Sequence, residues 1–318
     1  MNKLKKIPKF DDLTGRSPRM QTVFQRICDA AATDVTVLIL GESGTGKELV
    51  AHSIHRRSIR ANEPFIPVNT GAISRNLVGS ELFGHQKGAF TGATETKPGK
   101  FEQANHGTLF LDEISTMDEA TQVSLLRILE TRKIQRIGGR SFIPVDVRII
   151  SASNKKLFHN DHSKDAIIRQ DVFHRLSVFT ISLPPLQERG EDILLLSEEL
   201  LNQANLKFNK SVRTFESNVI DALQAYSWPG NIRELKNVIQ RAVLICRNNR
   251  ICLDDLPPRI WKCESKTHSV IVPIGSSLRD TERLLIQRTL EFTNGNRKKA
   301  AEILGISRRA LYNKLNRL

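Results

Sequence analysis

Gly41-Glu42-Ser43-Gly44-Thr45-Gly46-Lys47-Glu48 follows a short apolar run, Val35–Leu40, and opens a helical stretch. This is the strand–GxxxxGK–helix order of a phosphate-binding loop. Its glycines let backbone N–H groups turn inward, and the helix N-terminus adds its positive end. Lys47 is placed for the β- and γ-phosphates of a nucleotide, with ATP and Mg2+ as the expected cofactors. Position 48 is Glu, where a magnesium-ligating Ser or Thr is usual. A second reactive pair closes the apolar run Thr108–Leu111: Asp112 and Glu113. Asp112 can hold the magnesium ion, directly or through water, and Glu113 can orient the attacking water. Taken alone, the pair could equally cap the next helix; downstream of a phosphate loop the catalytic reading prevails.

These groups need a rigid frame. Residues 13–190 alternate short β-branched or aromatic runs with amphipathic stretches, the pattern of an α/β domain with a parallel sheet. Candidate strands are Val35–Leu40, Phe65–Val68, Thr108–Leu111, Val147–Ser151 and Val178–Leu183. Residues 191–256 read as a small helical subdomain with one break at Trp228-Pro229-Gly230-Asn231, where Asn231 is placed to cap the following helix. Residues 257–277, with mixed polarity and little periodicity, read as a linker. Residues 1–12 form an N-terminal tail.

Between the two reactive motifs lies Lys87-Gly88-Ala89-Phe90-Thr91-Gly92-Ala93, preceded by Ser80-Glu81-Leu82-Phe83-Gly84-His85. Gly88, Ala89, Phe90, Thr91, Gly92 and Ala93 resemble the signature loop of the sigma-54-dependent activators, the bacterial enhancer-binding proteins. The likeness spans residues 13–256 and resumes at the C-terminus. It implies an AAA+ P-loop ATPase with a small α-helical lid, whose Phe90 and Thr91 touch the sigma factor. An acidic residue after the loop lysine is a trait of that family, which accounts for Glu48.

Further roles follow from the resemblance alone. Asn69 takes the place of an asparagine that senses the γ-phosphate and pairs with Glu113. Ser153 and Asn154 stand at the first sensor, with Ser where Thr is usual. Arg169 and Arg175 match two arginines that reach the neighbouring subunit's nucleotide as fingers. Arg233, within Trp228–Leu235, matches the second sensor. Thr14 and Gly15 lie where the family lines the adenine pocket. A ring, a hexamer by family expectation, follows from fingers acting in trans; a homo-oligomer and a hetero-oligomer with a close homologue both remain open.

The net charge of +14 points to a nucleic-acid partner. Residues 278–318 carry ten Lys or Arg against four Asp or Glu. Ala300–Leu304, a turn at Gly305-Ile306-Ser307 and a helix from Arg308 to Asn316 have the shape of a helix-turn-helix. The sequence there resembles the all-α Fis-type DNA-binding domain. Ser307 reads as an N-cap, and Arg308, Arg309, Asn313, Lys314 and Arg317 as candidate DNA contacts. Ala310, Leu311 and Leu315 read as core. Residues 278–292 resemble that domain's dimerisation helix.

The expected partners are therefore sigma-54 RNA polymerase holoenzyme and upstream enhancer DNA. Only about a dozen residues precede the motor domain, too few for a receiver domain, so control is expected from a separate regulatory protein, expression level or a partner subunit. Met1–Phe10 is basic without an apolar core, and no apolar run reaches the roughly 18 residues of a membrane span. The cytoplasm is the expected compartment, with no membrane partner. Cys28, Cys246, Cys252 and Cys263 lack the paired spacing of a zinc site and read as reduced thiols. Two other classes compete: another AAA+ machine, which lacks the Gly88–Ala93 sequence, and a DNA-binding repressor on a degenerate ATPase fold, which lacks the set Lys47, Asp112, Glu113 and Arg169.

Overall fold

The structure, a computed structural model, describes residues 9–154, 168–261, 275, 277–293 and 295–315. Two compact units divide after Trp261.

The first unit is built on five parallel strands: β1 (Val37–Leu40), β2 (Phe65–Asn69), β3 (Thr108–Asp112), β4 (Arg148–Ser153) and β5 (Phe179–Ser182), in the order β5-β1-β4-β3-β2. Each expected strand is present with its ends moved by one or two residues. Pairing with β1 carries β4 on to Ser153, opposite Leu40, and pairing with β3 carries β2 on to Asn69, opposite Asp112. The sheet is covered on both faces, as its apolar runs require. Period-2 alternation sorts the side chains. Val37, Ile39, Phe110 and Ile150 pack with Met20, Phe24 and Ile27 on one face. Leu38, Leu109, Leu111 and Ile149 pack with Leu82, Phe101 and Leu125 on the other.

Helix α1 (Pro18–Ala31) begins with proline at its first position, where the missing N–H costs nothing. Helix α2 (Lys47–Arg56) leaves the phosphate loop directly. Helix α3 (Arg75–Phe83) precedes the signature loop. Helix α4 (Glu119–Thr131) is capped by Asp118, whose carboxylate accepts from Thr121 N at 2.9 Å. Helix α5 (Gln170–Leu176) precedes β5.

The lid comprises α6 (Asp192–Phe208), α7 (Ser217–Ala225) and α8 (Asn231–Ile245) around a core with Trp228, Leu235 and Ile239. It has two breaks where the sequence pattern shows one. Asn209, in the left-handed region at φ 51°, ends α6, and the Asn205 amide bonds both N–H and C=O of Val212. The strand Thr214–Phe215 then pairs with Arg250–Ile251. A short helix, Pro258–Trp261, lies within the stretch read as linker and buries Ile260 in the lid core.

The second unit holds α9 (Leu278–Phe292), α10 (Arg297–Ile303) and α11 (Arg308–Leu315) around Ile286, Ala300, Ala301 and Leu311. Each start is capped: Ser277 accepts from Asp280 N, Asn296 from Lys298 N and Lys299 N, and Ser307 from Ala310 N.

Candidate nucleotide site

The parallel sheet brings the carboxyl ends of β1, β2, β3 and β4 side by side; β2, β3 and β4 end in the predicted site residues Asn69, Asp112 and Ser153, and β1 runs straight into Gly41. Gly41 N donates to Ser153 O at 3.1 Å, tying the phosphate loop to the end of β4. Gly44 and Gly46 lie at φ 79° and 101°, conformations that L side chains rarely adopt, so the loop turns only with glycine there. Thr45 is buried and donates to Glu42 O at 2.8 Å. Lys47 Nζ folds back onto Gly41 O at 2.9 Å and Glu42 O at 3.1 Å. Burial pulls the Lys47 ammonium below its ordinary range; Asp112 and Glu113 oppose that pull and Arg233 adds to it. Glu48 stands in the first turn of α2. Among the described residues no side-chain hydrogen bond caps α2 at Gly46, and an uncapped helix N-terminus can receive an anion.

At the end of β3, Asp112 Oδ1 accepts from Glu113 N at 2.9 Å. Glu113 lies at φ 57°, a strained setting for a glutamate, and its carbonyl is pinned by the hydroxyls of Thr70 and Thr116. Its carboxylate leans over Gly71. The Asn69 side chain, beside it, accepts from Ala72 N at 3.0 Å. No hydrogen bond joins the Asn69 and Glu113 side chains among the described residues, so the expected pairing is a proximity across Gly71. Ser153 is fully buried with its hydroxyl on Asn154 O, and Asn154 is exposed.

The lid meets this loop through a residue whose role differs from the sequence expectation. Asn231 does not cap α8: it is the first helical residue, and its side chain points back across the junction. Oδ1 accepts from the buried Leu186 N at 2.7 Å, while Nδ2 donates to Glu42 Oε2 and Ser43 O at 3.1 Å each. Ile232 N donates to Gly44 O at 3.0 Å, and Arg233 Nη1 to Ser43 Oγ at 2.8 Å. Gly230 holds the N-cap position without a side-chain cap, and Glu234 Oε2 accepts from Gly230 N.

Two charged residues unmarked by the sequence reading complete the junction. Arg189, 2% exposed, donates to Thr45 O at 3.0 Å and to Pro184 O. Burial pushes its guanidinium down to about 10, against the attraction of Asp192. Asp192, fully buried, accepts from Arg16 N, Ser17 N and Ser17 Oγ. Gly15 packs on that carboxylate, and Thr14 donates to Glu199 of α6. In Gln187-Glu188-Arg189-Gly190-Glu191-Asp192 these groups look like solvated surface charge. The one available signal is that Asp192 opens an apolar helical run.

Arg169, just before α5, and Arg175, in its last turn, lie on the surface, and among the described residues neither makes a hydrogen bond or ion pair with residues 41–48. Arg169 pairs with Asp171 at 2.8 Å and Glu119 at 2.9 Å, and these carboxylates, Asp171 foremost, raise its guanidinium. Arg175 pairs with Glu130 at 3.5 Å.

The signature loop stands on a neck in which Gly84–His85 pairs antiparallel with Lys97–Pro98. Gly88 N donates to Ala93 O at 2.8 Å, and Ala93 N to Phe90 O at 3.0 Å. Gly88 and Gly92 have positive φ and open space around them. Phe90 is 37% exposed, with its ring edge-on to His85 at 5.0 Å. Thr91 is exposed, and Ala89 packs on Gly138 of a second hairpin, Lys133–Gln135 with Phe142–Pro144.

In the second unit, Arg308, Arg309 and Asn313 are exposed along α11, and Lys314 pairs with Glu282 of α9. Leu311 is buried as expected; Arg317 lies outside the described residues. Among the described residues no helix is long and apolar enough to cross a membrane, and no cluster of three or more metal-ligating side chains occurs.

Comparison with known proteins agrees with this geometry. Residues 13–182 match the sigma-54 interaction domain, 187–270 the AAA+ ATPase lid domain, and 277–318 the bacterial regulatory protein, Fis family. The regulatory protein AtoC of Escherichia coli is 45% identical over 94% of this chain and 66% of its own length. The DNA-binding transcriptional regulator NtrC of Azospirillum brasilense is 40% identical over 96% of this chain and 69% of its own length. The chain thus spans about two thirds of these curated relatives. The crystal structure of NtrX from Brucella abortus in complex with ATP superposes with a TM-score of 0.73 at 35% identity, covering 96% of this chain and 69% of that one. The chain belongs to the sigma-54-dependent transcriptional activator family, with an AAA+ domain, a helical lid and a Fis-type helix-turn-helix.

Proposed function

We propose that this chain hydrolyses ATP and couples the hydrolysis to remodelling of a sigma-54 RNA polymerase closed complex into an open one, acting from upstream enhancer DNA bound by residues 278–318. The observation that carries the reading is that one compact unit holds both a phosphate loop whose Lys47 feels the charges of Asp112 and Glu113 and a signature loop with Phe90, Thr91 and Gly92 exposed at its tip. The geometry fits a nucleotide: two left-handed glycines open the loop, and among the described residues the Lys47 ammonium hydrogen-bonds only loop carbonyls.

In this reading residues 41–48 hold the phosphates of ATP, Thr14 and Gly15 border the base, and Asp112 binds Mg2+. Bound ATP and Mg2+ supply the scissile phosphoryl group and the charge that neutralises it. Glu113 accepts a hydrogen bond from the attacking water and orients it. Arg233 reaches the γ-phosphate of its own subunit, while Asn69, Ser153 and Asn154 register its presence. Arg169 and Arg175 act on the neighbour's nucleotide. Such a contact is head-to-tail, and head-to-tail contacts that close form rings, here a hexamer. The ring is made of copies of this chain or of this chain with a close homologue, in the cytoplasm.

The deciding experiment combines the full chain, sigma-54 holoenzyme and promoter DNA carrying its upstream site. Open complexes should form with ATP and not with a non-hydrolysable analogue. Deleting residues 278–318 should abolish site-specific binding while ATP turnover persists. Open complexes that form equally with the analogue would refute the coupling.

A further inference from the structure

Asp112 ends β3 in register with Asn69 of β2, and the next residue, Glu113, turns into the left-handed region at φ 57° and ψ 40°. For a residue with a β-carbon that conformation is costly and persists only where its surroundings hold it. It also sets the direction of the Cα–Cβ bond. A return to negative φ would re-aim the carboxylate, which now lies against Gly71.

Both peptide planes that flank Glu113 are held by hydroxyls. Thr70, the first residue after β2, is 1% exposed. Its Oγ1 lies 2.9 Å from Asp112 O and 2.9 Å from Glu113 O. Thr116 reaches Glu113 O with its hydroxyl at 2.8 Å and its N–H at 2.9 Å. The two hydroxyl oxygens stand 3.0 Å apart. A hydroxyl has one hydrogen to give and a carbonyl oxygen has two lone pairs. Thr116 alone supplies two hydrogens to Glu113 O, which frees the Thr70 hydrogen for Asp112 O. Thr70 thus holds the plane before Glu113 and Thr116 the plane after it, and together the two planes define φ and ψ of the residue between them. A buried threonine can satisfy its hydroxyl one turn back in its own helix, as Thr289 does on Leu285 O. Thr70 instead reaches 42 and 43 residues along the chain, to the two carbonyls on either side of a strained glutamate.

On the reading of Glu113 as the group that orients the attacking water, we propose that Thr70 is a positioning residue for ATP hydrolysis: its hydroxyl, with that of Thr116, holds Glu113 in the left-handed conformation that aims the carboxylate. Thr70 is buried behind that backbone and acts through Glu113 alone.

The test is a double-mutant cycle on the full chain, with single-turnover hydrolysis, equilibrium nucleotide titration and a urea midpoint on each preparation. Thr70→Val keeps the shape of the side chain and removes the hydrogen. It should lower the rate about 10- to 100-fold with nucleotide affinity unchanged, the scale expected for a misaimed catalytic group. Thr70→Ser, which restores the hydroxyl, should recover most of the rate. In Glu113→Gln, whose rate is already low, adding Thr70→Val should change the residual rate by less than about twofold, because groups acting as a unit are not additive. A Thr70→Val rate close to wild type, no recovery with serine, or an undiminished effect in the Glu113→Gln background overturns the positioning role. Normal turnover in Glu113→Gln alone overturns instead the role of Glu113 on which it rests, so the two failures are told apart. If Thr70→Val does not fold, Thr116→Val, which loosens the plane after Glu113 at a half-buried position, decides by the same criteria.

Discussion

A β-carbon placed on Gly71 would stand 1.9 Å from Glu113 Oε2. The Glu113 carboxylate therefore occupies space that only glycine leaves free, at the end of β2 and beside Asn69. Its position is fixed from both sides, by a strained backbone below and a missing side chain above.

Gly71→Ala should push that carboxylate away from the phosphate loop without touching residues 41–48. Misplacing a catalytic group by about 1 Å costs on the order of 100-fold in rate. The expected outcome is ATP turnover lowered by that order with nucleotide affinity unchanged, read by single-turnover hydrolysis and equilibrium titration on one preparation. Normal turnover would remove Glu113 from the water-orienting role.

Asn231→Ala deletes the only side chain that bonds Leu186, Glu42 and Ser43 together among the described residues. It leaves the Leu186 N–H buried and unpaired, at a cost of about 1–3 kcal/mol. A lower urea midpoint and weaker ATP binding should appear together. Loss of stability with unaltered nucleotide affinity would show that the bridge serves the fold alone.

Lys47 gives the nucleotide-free protein a pH signature. Its folded pKa lies below the ordinary 10.5, so between the two values the unfolded chain holds a proton the native state has lost. Stability should then rise with pH across that alkaline window. Lys47→Met should flatten this component, as should saturating ATP, whose phosphates favour the ammonium. The check is a series of urea midpoints from pH 8 upward; an identical slope in the variant would assign it to another group.

Phe90 and Thr91 offer nothing to hydrolysis: they form the exposed tip of a loop whose flanking glycines meet no neighbour. Thr91→Ala and Phe90→Ala should hydrolyse ATP at near wild-type rate and yet fail to open a sigma-54 promoter. Hydrolysis, sigma-factor trapping by a transition-state mimic, and open-complex formation are to be measured side by side. Normal open-complex formation by both variants would sink the coupling role of the loop.

What the sequence made legible follows the range of the interactions. The phosphate loop, Asp112–Glu113 and the Gly88–Ala93 tip are contiguous words, readable because their chemistry requires adjacent residues. The strands were readable because burial on both faces demands apolar runs, though their ends were set by pairing with neighbours distant in sequence. Asn231 was misread because its local position suits a cap, while a partner 189 residues away claims its amide. Arg189 and Asp192 were overlooked because their burial exists only once the lid closes over Thr45 and Ser17. The seat of Glu113 on Gly71 has no sequence signal, since a glycine kept for another residue's side chain resembles a glycine kept for its own turn.

The two-residue strands at the neck of the signature loop carry a separate consequence. Everything between His85 and Lys97 leaves and rejoins the domain through that narrow clasp, so the tip behaves like an interchangeable tool on a fixed handle. A new tip sequence grafted between those positions would alter what the motor grips without altering how the motor runs, and target choice could diversify among related machines at little risk to their engine.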